Sequence, residues 1–462
     1  MKPVGRVLLS NLGYRTLSCE IGEEPLVIVF SIGLRHIVEN TAWMRDNLGY
    51  RVIWATRDIK GIRHDWQNGV IGTNVQSISE AMKYRKRKDN IVSIFVLMAA
   101  PHTALWRWKA MIPQSRVIVH FYDVMSLWVP REHRALWDEY PNTKGSNEAE
   151  YDALEEILRG DYVDGFSYKD WGGPFWPVLE KAEERGIPTV WIPSSCSSKL
   201  YQAPPKPTVP NRIAYVGTVV PRSSHDQPGA IFGDVFMEKI FMETFRQGFE
   251  IHAYSVGVHK DAVADYRKAF PNREVSLLGG ASLTDLMPRL AGRYRWGWAA
   301  YHYPQPAIMG LVKNTLPTKI FNYMALGVPI ILSEEMEVAS RFVRHHGIGV
   351  VVSQEDLKNL NVVLGRYNYS EMLANILRVR DDFSTEKHID KLGRLVETVM
   401  KAPSGRKLTY KAPWLEKDMA WWKNITDKKS IDDDRTKYSA WRATNNEIPL
   451  NSLRVVWSAP ET

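Results

Sequence analysis

The chain has 462 residues, 44% of them hydrophobic and 24% charged. That is enough for roughly two or three domains with their own cores, and it excludes a disordered or fibrous chain. A formal net charge of +8 favours anionic partners, whether phosphate-bearing substrates, anionic headgroups or nucleic acid. The only cysteines, Cys19 and Cys196, exclude a thiolate metal cluster and a disulfide framework, so a cytoplasmic location is expected.

The first residues, MKPVGRVLLSNLGYR, lack the apolar centre of a secretory signal, and no apolar run approaches the ~20 residues needed to cross a bilayer. Residues 25–31 (PLVIVFS) read as a buried strand, followed by Gly33 and an amphipathic stretch from about Ile37 to Leu48. Strands are predicted next at 51–56 and 91–99, a Trp-containing helix from about Thr103, and a strand at 116–122. A helix around 147–159, a short strand at 164–168, a helix around 175–185 and a strand at 189–193 complete the first half. Continuous apolar strands separated by helices indicate a parallel sheet covered on both faces, a doubly wound α/β domain over residues 1–202. The basic run Lys83, Arg85, Lys86, Arg87 and Lys88 reads either as a solvated helix end or as a docking patch for an anionic surface. Trp106, Trp108, Trp128, Trp296 and Trp298 lie in or beside apolar segments and are read as core or interface residues.

Residues 203–211 (APPKPTVPN) hold four prolines in nine positions, which marks a stiff inter-domain linker. The strand–helix pattern then restarts, with strands predicted at 211–218, 250–256, 274–280, 296–303, 328–333 and 349–353. This gives a second doubly wound domain over 212–400. The tail, 401–462, is polar and rich in Trp and Lys. Within it, residues 414–425 are expected to form an amphipathic helix that crosses back to the first domain, or else an acceptor-binding appendage.

The stretch 316–334, LPTKIFNYMALGVPIILSE, is the most informative. Pro317 and Thr318 suit a helix start, Gly327 suits a left-handed helix end, and Ile330–Ser333 suits a buried strand. A helix start presents unpaired N–H groups and a partial positive charge, which favours a phosphate. Lys319 adds a full charge in the first turn, where a cation is ordinarily disfavoured, and so points to an anion outside the protein.

This segment resembles the nucleotide-sugar signature of GT-B glycosyltransferases, most of all retaining family 4. Pro317, Lys319, Tyr323, Met324, Ala325, Gly327, Pro329 and Ile330 carry the likeness. The stretches 189–201, 213–218 and 344–357 resemble the family's loop before the linker, its first strand of the second domain and its later glycine-and-acid stretch. The resemblance implies a GT-B α/β fold: two Rossmann-like domains facing a central cleft, with a C-terminal helical tail. It implies transfer of a sugar from a nucleotide-diphosphate donor to an acceptor hydroxyl, with retention and without a metal or other cofactor. It further implies a donor site formed by Gly33, Gly217, Thr218, Asn314, Leu316, Pro317, Thr318 and Asn322. Asn322 and Asn314 stand where the family carries carboxylates toward the ribose and the donor sugar; an amide oxygen accepts there without charge assistance. Arg222 and Lys319 would neutralise the departing diphosphate. From the first domain, His120 and Asp123 near the end of strand 116–122 are candidates, although by the family's spacing Tyr122 falls in the usual imidazole place. The expected acceptor is a glycan or lipid-linked glycan, reached from the cytoplasm or from peripheral contact with the inner membrane face. The alternatives are a DNA-modifying transferase and a non-catalytic nucleotide- or glycan-binding relative.

Overall fold

The structure is a computed structural model. It describes residues 23–30, 35–55, 71–72, 82, 85–98, 102–123, 157, 162–169, 176–206, 211–217, 243–254, 268, 276–278, 283–300, 309–403, 405–406 and 454–455. The first sheet contains β1 (Leu26–Phe30), β2 (Arg51–Ala55), β3 (Ile71–Gly72), β4 (Ile91–Met98), β5 (Arg116–Asp123), β6 (Gly165–Tyr168) and β7 (Thr189–Trp191). The second contains β8 (Arg212–Val216), β9 (Glu250–Tyr254), β10 (Ser276–Leu278), β11 (Trp296–Trp298), β12 (Ile330–Ser333) and β13 (Gly349–Val352). The order in the first sheet is β3-β2-β1-β4-β5-β6-β7, and in the second β10-β9-β8-β11-β12-β13, with these strands parallel throughout. A further strand, β14 (Arg454–Val455), pairs antiparallel with β3 at the outer edge.

Both sheets are doubly wound, so each has a switch point, β1/β4 in the first and β8/β11 in the second. Apolar runs became strands because both of their faces are covered: Leu26, Val27, Ile28 and Val29 are all fully buried. Trp106, Trp108, Trp296 and Trp298 are core residues; Trp128, and the segments 147–156 and 414–425, lie outside the described residues. No helix among the described residues is long and apolar enough to cross a membrane.

Along the chain the helices are α1 (Arg35–Leu48), α2 (His102–Met111), α3 (Trp176–Glu184), α4 (Leu283–Leu290), α5 (Met309–Asn314), α6 (Thr318–Leu326), α7 (Glu337–His346), α8 (Leu360–Gly365), α9 (Tyr369–Val379), α10 (Thr385–His388) and α11 (Lys391–Met400). The crossing helix is α11. Its Leu392, Leu395, Val396 and Val399 join the core of the first sheet beside Val27, Val29, Val92 and Ile118. The return to the first domain is thus made before residue 400, inside the span read above as the second domain. Just after α11, residues 402 and 406 also touch the first domain: the Arg116 guanidinium reaches the Ala402 carbonyl, and the Arg406 amide donates to Asp164 Oδ1 at 2.9 Å.

The basic run 83–88 is not a uniform surface patch. Arg85 is buried, its guanidinium spent on the Glu24 and Arg87 carbonyls and on Asn90 Oδ1. The amides of Lys86 and Arg87 donate to the Glu23 carboxylate at 3.0 and 2.8 Å. Arg85 therefore stitches a turn to the bend just before β1, leaving Lys86 and Arg87 exposed.

The chain passes between the domains twice, and the two passages run side by side. Cys196 and Ser384 form a parallel bridge, and Ser195 Oγ lies 3.1 Å from Thr385 Oγ1. Glu386 accepts from the Ser197 hydroxyl at 2.6 Å and from the Ser198 amide at 2.9 Å. Burial pushes the Glu386 carboxyl up, but the hydrogen bonds from Ser197 and Ser198 outweigh it and hold it below the ordinary glutamate value. A depressed folded pKa contributes stability above the unfolded value, roughly 4.3, and loses it as pH falls through the folded one. Glu386→Gln is accordingly expected to lower the unfolding free energy at pH 7, measured in urea, by about 0.5–1 kcal/mol, since the group is exposed. The gap between variant and parent should close in acid below the ordinary glutamate pKa; a gap that is the same at pH 3 and pH 7 would rule the charge out.

Candidate active site

The second switch point is where the site assembles. β11 pairs with β8 only at Trp296↔Ile213 and Gly297↔Ala214. β8 instead stays with β9 to Val216↔Tyr254, while the Ala299 amide goes to the Ile331 carbonyl of β12. The carboxyl ends of β8 and β11 therefore part, and α6 fills the gap.

Tyr323, from the middle of α6, lies flat over Gly297: a Cβ built there would sit 2.3 Å from the ring. Its hydroxyl accepts from the Val216 amide at 3.0 Å. It also lies within donating distance of the Trp298 and Ala214 carbonyls, at 2.9 and 3.1 Å. A side-chain hydroxyl thus supplies what the missing strand pairs would have supplied.

The helix itself begins as the sequence pattern predicts. Pro317 is the N-cap, with extended backbone and no side-chain cap bond, and Gly327 is the C-cap at φ 69°. The Gly327 position is doubly constrained, because Pro204 of the linker packs 3.0 Å from where a Cβ would be. Ile320 to Leu326 are buried, so only the first turn faces outward. No acidic residue stands in that turn to satisfy the helix dipole, and Lys319 stands there instead. Its ammonium lies 4.4 Å from the centre of the Tyr215 ring and donates to the Tyr215 hydroxyl at 3.1 Å. Gly217 completes this corner: a Cβ there would come within 2.7 Å of Lys319 Cε and 2.8 Å of the Tyr215 hydroxyl.

The first domain reaches the same helix start. Tyr122, one residue short of the end of β5, places its hydroxyl 3.3 Å from Thr318 Oγ1, which lies 3.4 Å from Ser194 Oγ beyond β7. The Lys169 ammonium, just after β6, sits 4.2 Å from the centre of the Tyr122 ring. The carboxyl ends of β5, β6 and β7 thus converge on the amino end of α6, where a ligand site in open α/β sheets belongs.

The predicted residues divide as follows. Leu316, Pro317, Thr318, Lys319 and Asn322 lie on or beside the first turns of α6, and Gly217 lies against Lys319. Asn322 is buried, and its Oδ1 has no hydrogen-bond partner among the described residues, an unspent acceptor beside the start of α6. Asn314 ends α5, half-buried, just before the segment. Asp123 is the last residue of β5. Gly33, Thr218 and Arg222 lie outside the described residues. His120 differs from expectation: it is fully buried, with Nδ1 2.9 Å from Ser167 Oγ inside the sheet. On a strand, His120 and Tyr122 share a face, and the residue nearer the strand end is the one that reaches α6. Tyr215 and Tyr323 were not singled out for the site, because an aromatic in an apolar strand or helix carries the same pattern as a core residue.

Residues 231–393 match the family described as Glucosyltransferase 3-like, C-terminal domain. No curated protein matches the chain. Among solved structures, an alpha,alpha-trehalose-phosphate synthase (UDP-forming) from Burkholderia vietnamiensis is 8% identical at a TM-score of 0.50, over 82% of this chain and 100% of that one. A UDP-glucosyltransferase from Polygonum tinctorium is 10% identical at 0.47, over 81% and 99%. TarM is 13% identical at 0.43 over 70% of this chain, which spans 58% of the length of TarM. The chain has the GT-B fold, and its second domain is similar to that of a glucosyltransferase family.

Proposed function

We propose that the chain is a glycosyltransferase that takes a sugar from a nucleotide-diphosphate donor seated on the second domain and passes it to an acceptor hydroxyl presented by the first. The observation that carries this reading is the Lys319 ammonium, held over Gly217 at an acid-free helix start on the β8/β11 switch point. The diphosphate lies against the first-turn amides of α6 and that ammonium, and the two together meet the negative charge that grows on it as the sugar leaves. With this charge compensation from the protein itself, the reading is metal-independent. Asn322 Oδ1 accepts from a donor hydroxyl. In a retaining transfer the departing phosphate takes the acceptor proton, which asks for no protein nucleophile. Tyr122 and Ser194 bring the acceptor side to Thr318, and closure of the domains excludes water. A glycan or lipid-linked glycan is the acceptor class, with Lys86 and Arg87 as the exposed remainder of the basic run toward an anionic surface.

The test is a thermal-shift panel of uridine-, guanosine-, adenosine- and thymidine-diphosphate sugars, followed by slow donor hydrolysis for whichever binds. A donor at a hundredfold excess over its Kd stabilises by about 2.7 kcal/mol, which the panel resolves. If no member of the panel shifts the transition, the reading is wrong. Asn314 and Asn322 favour a second reading, a non-catalytic nucleotide or glycan binder; binding without any hydrolysis or transfer would select it.

A further inference from the structure

Lys319 projects from a helix that packs on one face of the second sheet. Phe321, Tyr323 and Met324 of α6 belong to the core on that face, with Ala214 and Val216 of β8. Tyr215 belongs to the opposite core, with Ile213, Trp296 and Trp298. Alternation along β8 puts residues 213 and 215 on one side and 214 and 216 on the other. The lysine and the tyrosine therefore come from opposite faces and meet over the carboxyl end of β8. A long flexible side chain at a helix start normally turns into water, away from the helix's positive end. Here the ammonium is instead drawn back across the strand end, its charge on the Tyr215 ring face and one proton on the Tyr215 oxygen. Tyr215 is itself fully buried in its core. Gly217 leaves the space through which the aliphatic stem passes.

Resting on the donor reading above, we infer that Tyr215 is a positioning residue for the diphosphate. It holds the Lys319 ammonium at the depth of the second phosphate, so that the site distinguishes a nucleoside diphosphate from a monophosphate. The ring supplies a fixed seat for the cation, and the hydroxyl fixes its direction. Without them the cation loses that seat and direction. The first phosphate and the nucleoside are bound elsewhere on the segment and do not depend on this pair.

The experiment measures the affinities of uridine, guanosine, adenosine and thymidine diphosphates, each against its monophosphate, for the parent chain, Tyr215→Phe and Tyr215→Leu. Calorimetry is the readout, and circular dichroism checks the fold. For the best nucleoside, the parent is expected to prefer diphosphate over monophosphate at least ~10-fold, in keeping with a charge-assisted contact. Tyr215→Phe keeps the ring and should reduce that preference about threefold, and Tyr215→Leu, which loses ring and hydroxyl, about tenfold, with monophosphate affinity unchanged in both. A tyrosine that merely fills the core would change both affinities together and leave their ratio intact, which overturns the proposal. If Tyr215→Leu does not fold, the shape-preserving phenylalanine variant decides alone, and an unaltered ratio there overturns it equally. A parent chain with no diphosphate preference defeats the donor reading itself. A parent with that preference and a variant that keeps it defeats only the role of Tyr215.

Discussion

Lys319→Ala is expected to lower turnover about 10²–10³-fold, the scale of removing one preorganised charge partner from a developing anion. The same change should hardly alter folding. The ammonium is half-buried, and its contact with the Tyr215 ring contributes only about 0.5–1 kcal/mol at such a site. The two readouts therefore separate: steady-state kinetics should collapse while the urea midpoint moves little. On the proposed reading the lysine would meet charge that grows as the sugar leaves, so most of the loss is expected in kcat rather than KM. Turnover retained to within about twofold would show that the start of α6 does not seat the phosphate.

Tyr323→Phe is the reverse case, large in stability and indirect in activity. The variant keeps the ring over Gly297 and removes only the oxygen. The Val216 amide then loses its partner, and the Ala214 and Trp298 carbonyls lose the one hydroxyl proton within their reach, in a buried corner. Leaving such groups unpaired should cost about 3 kcal/mol, seen as a lowered midpoint of urea unfolding. Hydrogen exchange locates the effect: the Val216 amide should lose protection while amides in β1 and β4 keep theirs. An unshifted midpoint would mean that the strands close their own gap, and that Tyr323 is an ordinary core residue.

How far the sequence was readable depended on whether the deciding interaction was local. The parallel strands could be read because burial on both faces writes an apolar run, unbroken in residues 26–29 and interrupted only by Ser93 in 91–96. The limits of α6 could be read because Pro317 and Gly327 act through their own backbone geometry. The crossing helix could not be placed. Leu392, Leu395, Val396 and Val399 make an apolar stripe that fits either domain, and only tertiary packing says which. β3 and β14 are two residues each, too short to carry a period. In the candidate site, Lys319 stood out by violating a local rule, a cation at a helix start. Tyr122, Tyr215 and Tyr323 violated none, because an aromatic in an apolar segment is ordinary. His120 attracted attention as an imidazole on a strand, but a position two residues deeper than Tyr122 left it among hydrogen bonds of the sheet interior.

The placement of α11 also bears on how the polypeptide is made. β7 ends at residue 191 and α11 begins at 391, so 391 − 191 = 200 positions separate the end of the last parallel strand of the first sheet from the helix that covers it. At ~5–20 residues per second of translation, the nascent first half spends about 10–40 s with Val27, Val29, Val92 and Ile118 lacking that lid. The core of the first sheet is therefore completed only once residues 391–400 have been made, after the strands of the second sheet.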